Sequence, residues 1–256
     1  MIVGADHIQF AVSDLQLGAK AFAGLGYEIS FTQDNFLSTR QSYRCFLQPE
    51  KSMLYLKARD GSVPVELITG SQVHERNIFT TYYPVANAEL PGSHARAPVV
   101  SELNGSGKCL YAPVLDSCYL LATVGDSPVL GSIVVLVSDI EASKRFWSEG
   151  VGFQIQSEDK NGVRLFWPGT LICKSLSLTL LATAETTEQP EFVDRVGTVL
   201  LSFVSTDIET DGGKIKCFTK GELSPLMEFE INNKRIAASM YLGPSNELIE
   251  LIQIVR

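Results

Sequence analysis

The sequence predicts an α+β protein built from four consecutive βαβββ units, two of them clear and two eroded. A stretch near the amino terminus recurs after the midpoint of the chain, and each copy precedes several short runs of strand-forming residues. The composition agrees with a packed protein, because 45% of the 256 residues are hydrophobic, which is enough to offset the entropy of ordering the chain.

The repeat begins with an apolar run that ends in Ser-Asp. The first copy, residues 8–15, has the sequence IQFAVSDL, and the second, residues 133–140, has the sequence IVVLVSDI. The aspartate in each copy suits a helix N-cap, and apolar residues then follow at helical spacing. Each predicted helix reaches a glycine, Gly26 or Gly152, of the kind that ends a helix in a left-handed conformation. Both copies therefore predict a strand followed by a helix.

Short strand-like runs follow each predicted helix, at 27–31, 43–47, 53–57 and 63–69 in the first copy and at 153–157, 163–167 and 176–182 in the second. Weaker patterns occupy the two remaining stretches, and a Gly-Asp-Ser-Pro break marks the midpoint. We therefore predict an amino-terminal half, 1–128, and a carboxy-terminal half, 129–256. Their units are 1–70 and 129–187, which are clear, and 71–128 and 188–256, which are eroded. In the last unit a helix is expected to begin near Asp207 and to be cut short at Gly212.

Charge and composition exclude several classes of partner. There are 21 basic and 29 acidic residues, which gives a net charge of −8 and argues against binding to nucleic acid or an anionic membrane. The most apolar stretch, Val129–Val137, is too short to span a bilayer. The amino terminus lacks the pattern of a signal peptide, and the five cysteines include no C-x-x-C pair. We therefore expect a cytoplasmic protein, either a monomer or a homodimer, that binds a small molecule.

Three segments resemble a known family. The first is the opening strand Asp6–Asp14, DHIQFAVSD, and the second is the strand that closes the first unit, Val65–Ile68, VELI. The third is the end of the chain, Gly243–Gln253, GPSNELIELIQ. A βαβββ unit that opens and closes in this way resembles the modules of the vicinal oxygen chelate superfamily. That superfamily includes glyoxalase I, extradiol dioxygenases, fosfomycin-resistance transferases and bleomycin-binding proteins.

The resemblance implies that the modules pair and that their mixed sheets curve around a shared cavity. Many members bind one divalent metal ion in that cavity. The ligands are a His or Gln from the first strand and a Glu from the last strand of the paired modules. The superfamily supports many unrelated reactions, so the resemblance predicts a fold more specifically than it predicts a reaction.

Three residues of this chain occupy ligand positions of the resembled family. Alternation along the first strand places His7 and Gln9 on the cavity face, while the apolar residues between them pack under the helix. Glu66 and Glu250 lie on closing strands among apolar neighbours, where a buried carboxylate needs a partner. If the first and fourth units share a cavity, His7, Glu66 and Glu250 would converge as ligands of Fe, Mn, Ni or Zn. Otherwise His7 and Glu66 would hydrogen-bond each other or a ligand.

The third unit departs from this pattern. Ser132 stands at the position of His7 and Thr179 at that of Glu66, and neither is a good ligand for these metals. Together with Gln9 and Trp167, they are candidates for substrate binding. The fourth unit offers Thr198 or Val199 on its first strand. A pairing of the third and fourth units, where extradiol dioxygenases keep their metal, would retain only Glu250, which argues against ring cleavage. His74 and His94 are expected in loops.

Three functions remain open. The first is a glyoxalase-like enzyme, a metal-dependent lyase or isomerase acting on a small oxygenated metabolite, with Glu66 or Glu250 as base. The second is a metal-free protein of the resistance type that binds an antibiotic or another natural product. The third is a metal-free enzyme in which Glu66 is the base and His7 orients it.

Overall fold

The computed structural model describes residues 1–36, 51–58, 62–70, 82–87, 110–115, 118–123, 130–160, 162–170, 175–183 and 193–255. The first unit contains β1 (Ile2–Val12), α1 (Leu15–Ala23), β2 (Tyr27–Phe36), β3 (Lys51–Ala58) and β4 (Val65–Thr69). In the second unit the described residues form β5 (Tyr82–Asn87), β6 (Leu110–Leu115) and β7 (Cys118–Thr123).

The third unit contains β8 (Leu130–Val137), α2 (Ile140–Arg145), a π-helical segment (Phe146–Val151), β9 (Gln154–Asp159), β10 (Gly162–Trp167) and β11 (Leu176–Ala182). The fourth contains β12 (Val199–Ser205), α3 (Ile208–Lys216), β13 (Gly221–Ile231), β14 (Lys234–Leu242) and β15 (Leu248–Val255). The predicted α+β fold with repeated βαβββ units is confirmed. Among the described helices, none is long and apolar enough to cross a membrane.

The helices begin where the sequence predicts. Asp14 and Asp139 accept hydrogen bonds from the backbone amides of the first helical turn, which satisfies donors that lack a partner within the helix. Asp207 caps α3 in the same way, but α3 continues through Gly212 to Lys216, so the predicted early end of this helix is wrong. A Cβ at Gly212 would lie 2.2 Å from the hydroxyl of Tyr241. Glycine at this position therefore lets the helix approach the sheet closely.

The units pair first with fourth and second with third. The larger sheet has eight strands in the order β13-β14-β15-β12-β1-β4-β3-β2, and β1 and β12 pair antiparallel at its centre. The other sheet has seven strands in the order β6-β7-β5-β8-β11-β10-β9, with β5 and β8 antiparallel. Each sheet thus takes one unit from each predicted half of the chain, and the division at 128/129 stays a prediction about the sequence.

The helix-facing sides of both sheets contribute to one hydrophobic core. Phe10 of β1 packs against Phe22 of α1, with ring centroids 5.3 Å apart. Trp147 and Trp167 of the third unit lie within 6.4 Å of the ring of Phe203 in the fourth. Since one face of β1 is committed to this core, the alternate side chains of β1 face the opposite side of the eight-stranded sheet, where a pocket lies.

Candidate functional site

A pocket of about 280 Å³ lies on that opposite side, and every strand of the eight-stranded sheet contributes to its lining. The hairpin between β13 and β14 reaches across to the other edge of the sheet, where the backbone amide of Asn232 donates to Oε1 of Gln33 at 3.2 Å. Ile231 packs nearby on a small apolar cluster of Ala11, Met53 and Ile68. The two edges of the sheet therefore meet around the pocket.

Three predicted ligand positions come together in this pocket. Nε2 of His7 lies 3.7 Å from Oε2 of Glu66 and 3.8 Å from Oε2 of Glu250. The side chains are 5%, 12% and 10% exposed respectively, so all three are largely shielded from water. Nε2 of His7 has no hydrogen-bond partner within the described part of the chain. An imidazole nitrogen therefore faces two carboxylates without a direct hydrogen bond to either.

Strand register explains this convergence. β1 is parallel to β4, with Gln9 beside Glu66, while β12 is parallel to β15, with Ser202 beside Glu250. Because His7 pairs with Ser202 across the central β1–β12 ladder, the two closing strands bring their carboxylates to opposite sides of the imidazole. The convergence depends on the pairing of the first and fourth units.

A fourth polar residue of the site, Asp6, was missed from the sequence. Its Oδ2 lies 2.8 Å from Nδ1 of His7, and the hydroxyl of Tyr55 donates to the same oxygen at 3.4 Å. Simple alternation would place Asp6 on the face opposite His7. However, Ala5 pairs with Phe203 and His7 pairs with the adjacent Ser202, so no residue of β12 is left to pair with Asp6. Asp6 is therefore the extra residue of a β-bulge. The bulge turns both side chains into the pocket, and only the carboxylate next to the histidine signals this in the sequence.

The charges of the site shift the pKa of each group. Burial lowers the pKa of His7, but the carboxylates of Glu66, Asp6 and Glu250 outweigh this effect and raise it to about 9. Burial raises the pKa of Glu250 to about 7, although His7 opposes the shift, and burial also raises the pKa of Glu66. At neutral pH in the metal-free protein, the imidazole is therefore in its positively charged form, with a proton on each ring nitrogen.

Ser202 is a further residue that the sequence did not single out. Its buried hydroxyl donates to Oε2 of Glu250 at 2.7 Å. Counting back from the caps Asp14 and Asp207, Leu200 matches His7 and Ser202 matches Gln9. This count corrects the assignment of Thr198 or Val199 to the first-strand positions of the fourth unit. Since Leu200 cannot ligate a metal, the fourth unit contributes one carboxylate and no imidazole.

Of the candidate substrate-binding residues, only Gln9 lines this pocket. Gln9 is buried, and its Nε2 has no hydrogen-bond partner among the described residues. Ser132, Thr179 and Trp167 lie in the other sheet, because the third unit pairs with the second rather than the first. Ser132 is exposed on β8, Thr179 is half-buried on β11, and Trp167 packs against the ring of Phe153 at 5.3 Å. Their role in ligand binding stays a prediction, and it does not concern the pocket around His7.

Two other histidines considered from the sequence, His74 and His94, lie outside the described residues. The site as described is therefore built from His7, Asp6, Gln9, Glu66 and Glu250, with Ser202 behind one carboxylate. These groups can hold a proton, accept hydrogen bonds and offer nitrogen and oxygen donors to a cation.

Comparison with solved structures identifies the fold. Glyoxalase I from Zea mays superposes with a TM-score of 0.64 over 98% of this chain and 92% of that one, at 16% sequence identity. A provisionally assigned dioxygenase from Bacillus subtilis superposes with a TM-score of 0.63 over 98% of this chain and 85% of that one, at 13% identity. No protein-family model and no curated protein sequence matches the chain. The chain has the fold of the vicinal oxygen chelate superfamily, as the sequence predicted.

Proposed function

We propose that the pocket is a metal centre and that the protein is a glyoxalase-like enzyme, a lyase or isomerase that acts on a small oxygenated metabolite. The observation that carries the proposal is the position of His7, whose buried Nε2 has no hydrogen-bond partner among the described residues and faces the carboxylates of Glu66 and Glu250. A divalent cation between these three groups would compensate the buried negative charge and give Nε2 a partner.

The donor set fits such an ion. Two ligands held by one cation at about 2.1 Å lie roughly 3.0 to 3.4 Å apart, so the separations of 3.7 and 3.8 Å would have to contract by a few tenths of an ångström. In keeping with these longer separations, no three His, Cys, Asp or Glu side chains among the described residues lie close enough together to bind a cation without such a contraction. One imidazole and two carboxylates suit Fe, Mn, Ni or Zn.

Asp6 supports the same interpretation. Metal-binding histidines commonly donate their second ring nitrogen to a carboxylate, which fixes the tautomer and orients the ring. The contact of 2.8 Å between Nδ1 of His7 and Asp6 matches this arrangement. While Nδ1 keeps its proton toward Asp6, Nε2 faces Glu66 and Glu250, and its lone pair becomes available there once a metal displaces the Nε2 proton. The ring is therefore oriented for a ligand before any ligand binds.

The remaining chemistry is assigned to the chain's own groups. A bound divalent ion supplies the positive charge that holds two substrate oxygens and stabilises negative charge developing on them. Glu250, or alternatively Glu66, takes a proton from the substrate carbon next to these oxygens and returns it to a neighbouring substrate atom. Burial raises the pKa of Glu250 to about 7 in the metal-free protein, and a bound divalent ion would lower this pKa and keep the carboxylate ionised as a base near neutral pH. The amide of Gln9 offers a hydrogen bond to the bound substrate.

A metal-free protein that binds a small natural product is the second candidate. The apolar part of the pocket favours it, since Phe31, Met53, Ile252 and Met240 supply walls that could bury a ligand without any metal. A metal-free enzyme remains the third, with Glu66 as the base and His7 orienting it. These two alternatives use the same pocket as the main proposal and differ from it because no metal ion is bound there.

Metal analysis separates these possibilities. Purified protein is loaded separately with Fe, Mn, Ni and Zn, dialysed, and measured by mass spectrometry. We expect one equivalent of at least one metal in the wild type, and less than about a tenth of that in His7→Ala and Glu66→Gln. Ser132→Ala, an exposed serine in the other sheet, is the matched control and should keep the metal. A wild type that retains no stoichiometric metal would overturn the proposal in favour of metal-free binding.

A further inference from the structure

We propose that the ligand of this pocket is an anion with an apolar or aromatic body, and that Lys57 and Lys234 bind its charged group at the mouth. The inference rests on the proposed function in taking this pocket as the ligand site, and it adds the charge and polarity of the substrate. Both lysines line the pocket together with the buried site groups.

Lys57 lies close to the buried site. It follows Tyr55 by two positions on β3, so both side chains point to the same face of the sheet. The Nζ atom of Lys57 is 5.7 Å from the centre of the Tyr55 ring, and that ring meets the imidazole of His7 edge-on at 5.8 Å. One aromatic ring therefore separates the ammonium group from the imidazole.

Lys234 approaches from the other unit. It begins β14 directly after the hairpin tip whose Asn232 contacts Gln33 on β2. Lys234, Ile236 and Ala238 lie at every second position along β14, so their side chains share the face of the strand that lines the pocket. The hairpin thus carries this lysine across the mouth toward the first unit, so the two lysines come to the mouth from opposite edges of the curved sheet.

Neither lysine is paired with a described carboxylate, although Glu28 on β2 is the cross-strand neighbour of Lys57. Within the described part of the chain, Lys57 and Lys234 form no ion pair, and the only contact that either ammonium makes is that of Lys57 with the Tyr55 ring. Both side chains are exposed. By contrast, Lys144 and Lys216 of the same chain form ion pairs with glutamates. The two ammonium groups at the mouth are therefore available to a ligand.

The charge balance of the pocket explains why they would be needed. Asp6, Glu66 and Glu250 place three negative charges around His7, and a divalent cation would leave one of them uncompensated. An anionic substrate would be repelled from such a site. With that cation bound, the two lysines change the net charge of the pocket to one positive charge. Without it, they still place two positive charges at the mouth, in front of the buried carboxylates, where the charged group of an anion would bind.

The walls between the mouth and the buried groups select an apolar body. Phe31 stacks on Tyr55 with ring centroids 5.1 Å apart, and Ile231, Ile252 and Met240 line the facing side. Burial of apolar surface against these walls favours a ligand with a ring or a branched chain. A cavity of about 280 Å³ accommodates a body of one or two rings.

A matched pair of fluorescent probes tests the proposal without any metal. 8-Anilinonaphthalene-1-sulfonate and N-phenyl-1-naphthylamine share one aromatic skeleton and differ in the sulfonate. We expect metal-free wild-type protein to bind the sulfonate about tenfold more tightly than the neutral probe at low ionic strength. In the Lys57→Met and Lys234→Met double variant, the ratio of dissociation constants should fall to about one, while the affinity for the neutral probe stays unchanged.

Lys160→Met, which removes an exposed lysine of the third unit, is the control and should keep the preference. Equal binding of the two probes by the wild type, or a preference that survives in the double variant, would overturn the anion site. The metal content of the same samples is measured separately. A lysine-dependent preference in a protein that holds no metal would reject the proposed metal function and leave this inference intact. Stoichiometric metal binding without a preference for the sulfonate would support the proposed metal function and reject the anion site.

Discussion

Asp6 and His7 are neighbours in sequence, and their side chains nevertheless hydrogen-bond to each other at 2.8 Å. In a regular strand they would point to opposite faces. The bulge in β1 removes this constraint, because Asp6 has no counterpart on β12. One irregular residue thus supplies the oriented imidazole on which the site depends.

Replacing Asp6 tests whether it orients His7. In Asp6→Asn the negative charge that favours the Nδ1–H tautomer is lost, so we expect metal affinity to fall about 10- to 100-fold. Nitrogen-15 NMR of labelled histidine, at a pH high enough to deprotonate the ring, should show a mixture of tautomers at His7, and the chain has only three histidines to assign. Asp34→Asn, at an exposed position on β2, is the control. Unchanged affinity together with an unchanged tautomer would show that Asp6 has no such role.

Metal affinity should depend steeply on pH. In the metal-free protein His7 is protonated below about pH 9, and a metal must displace that proton from Nε2. Affinity is therefore expected to fall about tenfold per pH unit from pH 9 to pH 7. Below about pH 7 the fall should steepen, because Glu250 then also holds a proton. Competition with a chelator of known affinity measures the profile, and a constant affinity between pH 6 and pH 9 would be incompatible with His7 as a ligand.

Ser202 stabilises the buried carboxylate of Glu250. Ser202→Ala removes a hydrogen bond of 2.7 Å to that group, so the metal-free variant should lose about 1–3 kcal/mol of unfolding free energy in urea at pH 8. Ser224 is the matched control, since its hydroxyl is equally buried in the same sheet but has no hydrogen-bond partner within the described residues. Ser224→Ala should cost clearly less. Equal losses in the two variants would show that the contact contributes nothing specific.

A second buried carboxylate joins the third and fourth units. The Ser143 hydroxyl of α2 donates to Glu247 in the loop before β15, and burial raises the pKa of that glutamate. We expect Ser143→Ala to lower the unfolding free energy by about 1–3 kcal/mol, because it removes a donor from a buried carboxyl group. Within the described residues, the Ser148 hydroxyl of the π-helical segment donates only to the backbone carbonyl of Lys144 in the preceding α2, and Ser148→Ala should have a much smaller effect. Urea denaturation of both variants would detect the difference, and similar midpoints would argue against the contact.

Much of the local structure follows from the sequence. The caps Asp14 and Asp139 and the glycine Gly152, with a φ of 108°, were all predictable, because capping and left-handed turns depend on residues close in the chain. Alternation likewise predicted that His7 and Gln9 share the face opposite the core. The continuation of α3 through Gly212 was not predictable, because glycine weakens the local preference for helix and the strands on which α3 packs, β14 and β15, are distant from its central residues in the sequence.

The sequence by itself determined the repeated βαβββ units, the chemistry of His7, Glu66 and Glu250, and the face of each strand on which they lie. Only the tertiary structure decided which units pair, and therefore that these three groups meet while Ser132 and Thr179 lie in another sheet. The physical reason is that caps and alternation arise between near neighbours in the chain. Pairing β1 with β12 instead joins strands almost two hundred residues apart and depends on how all four units bury their apolar faces together.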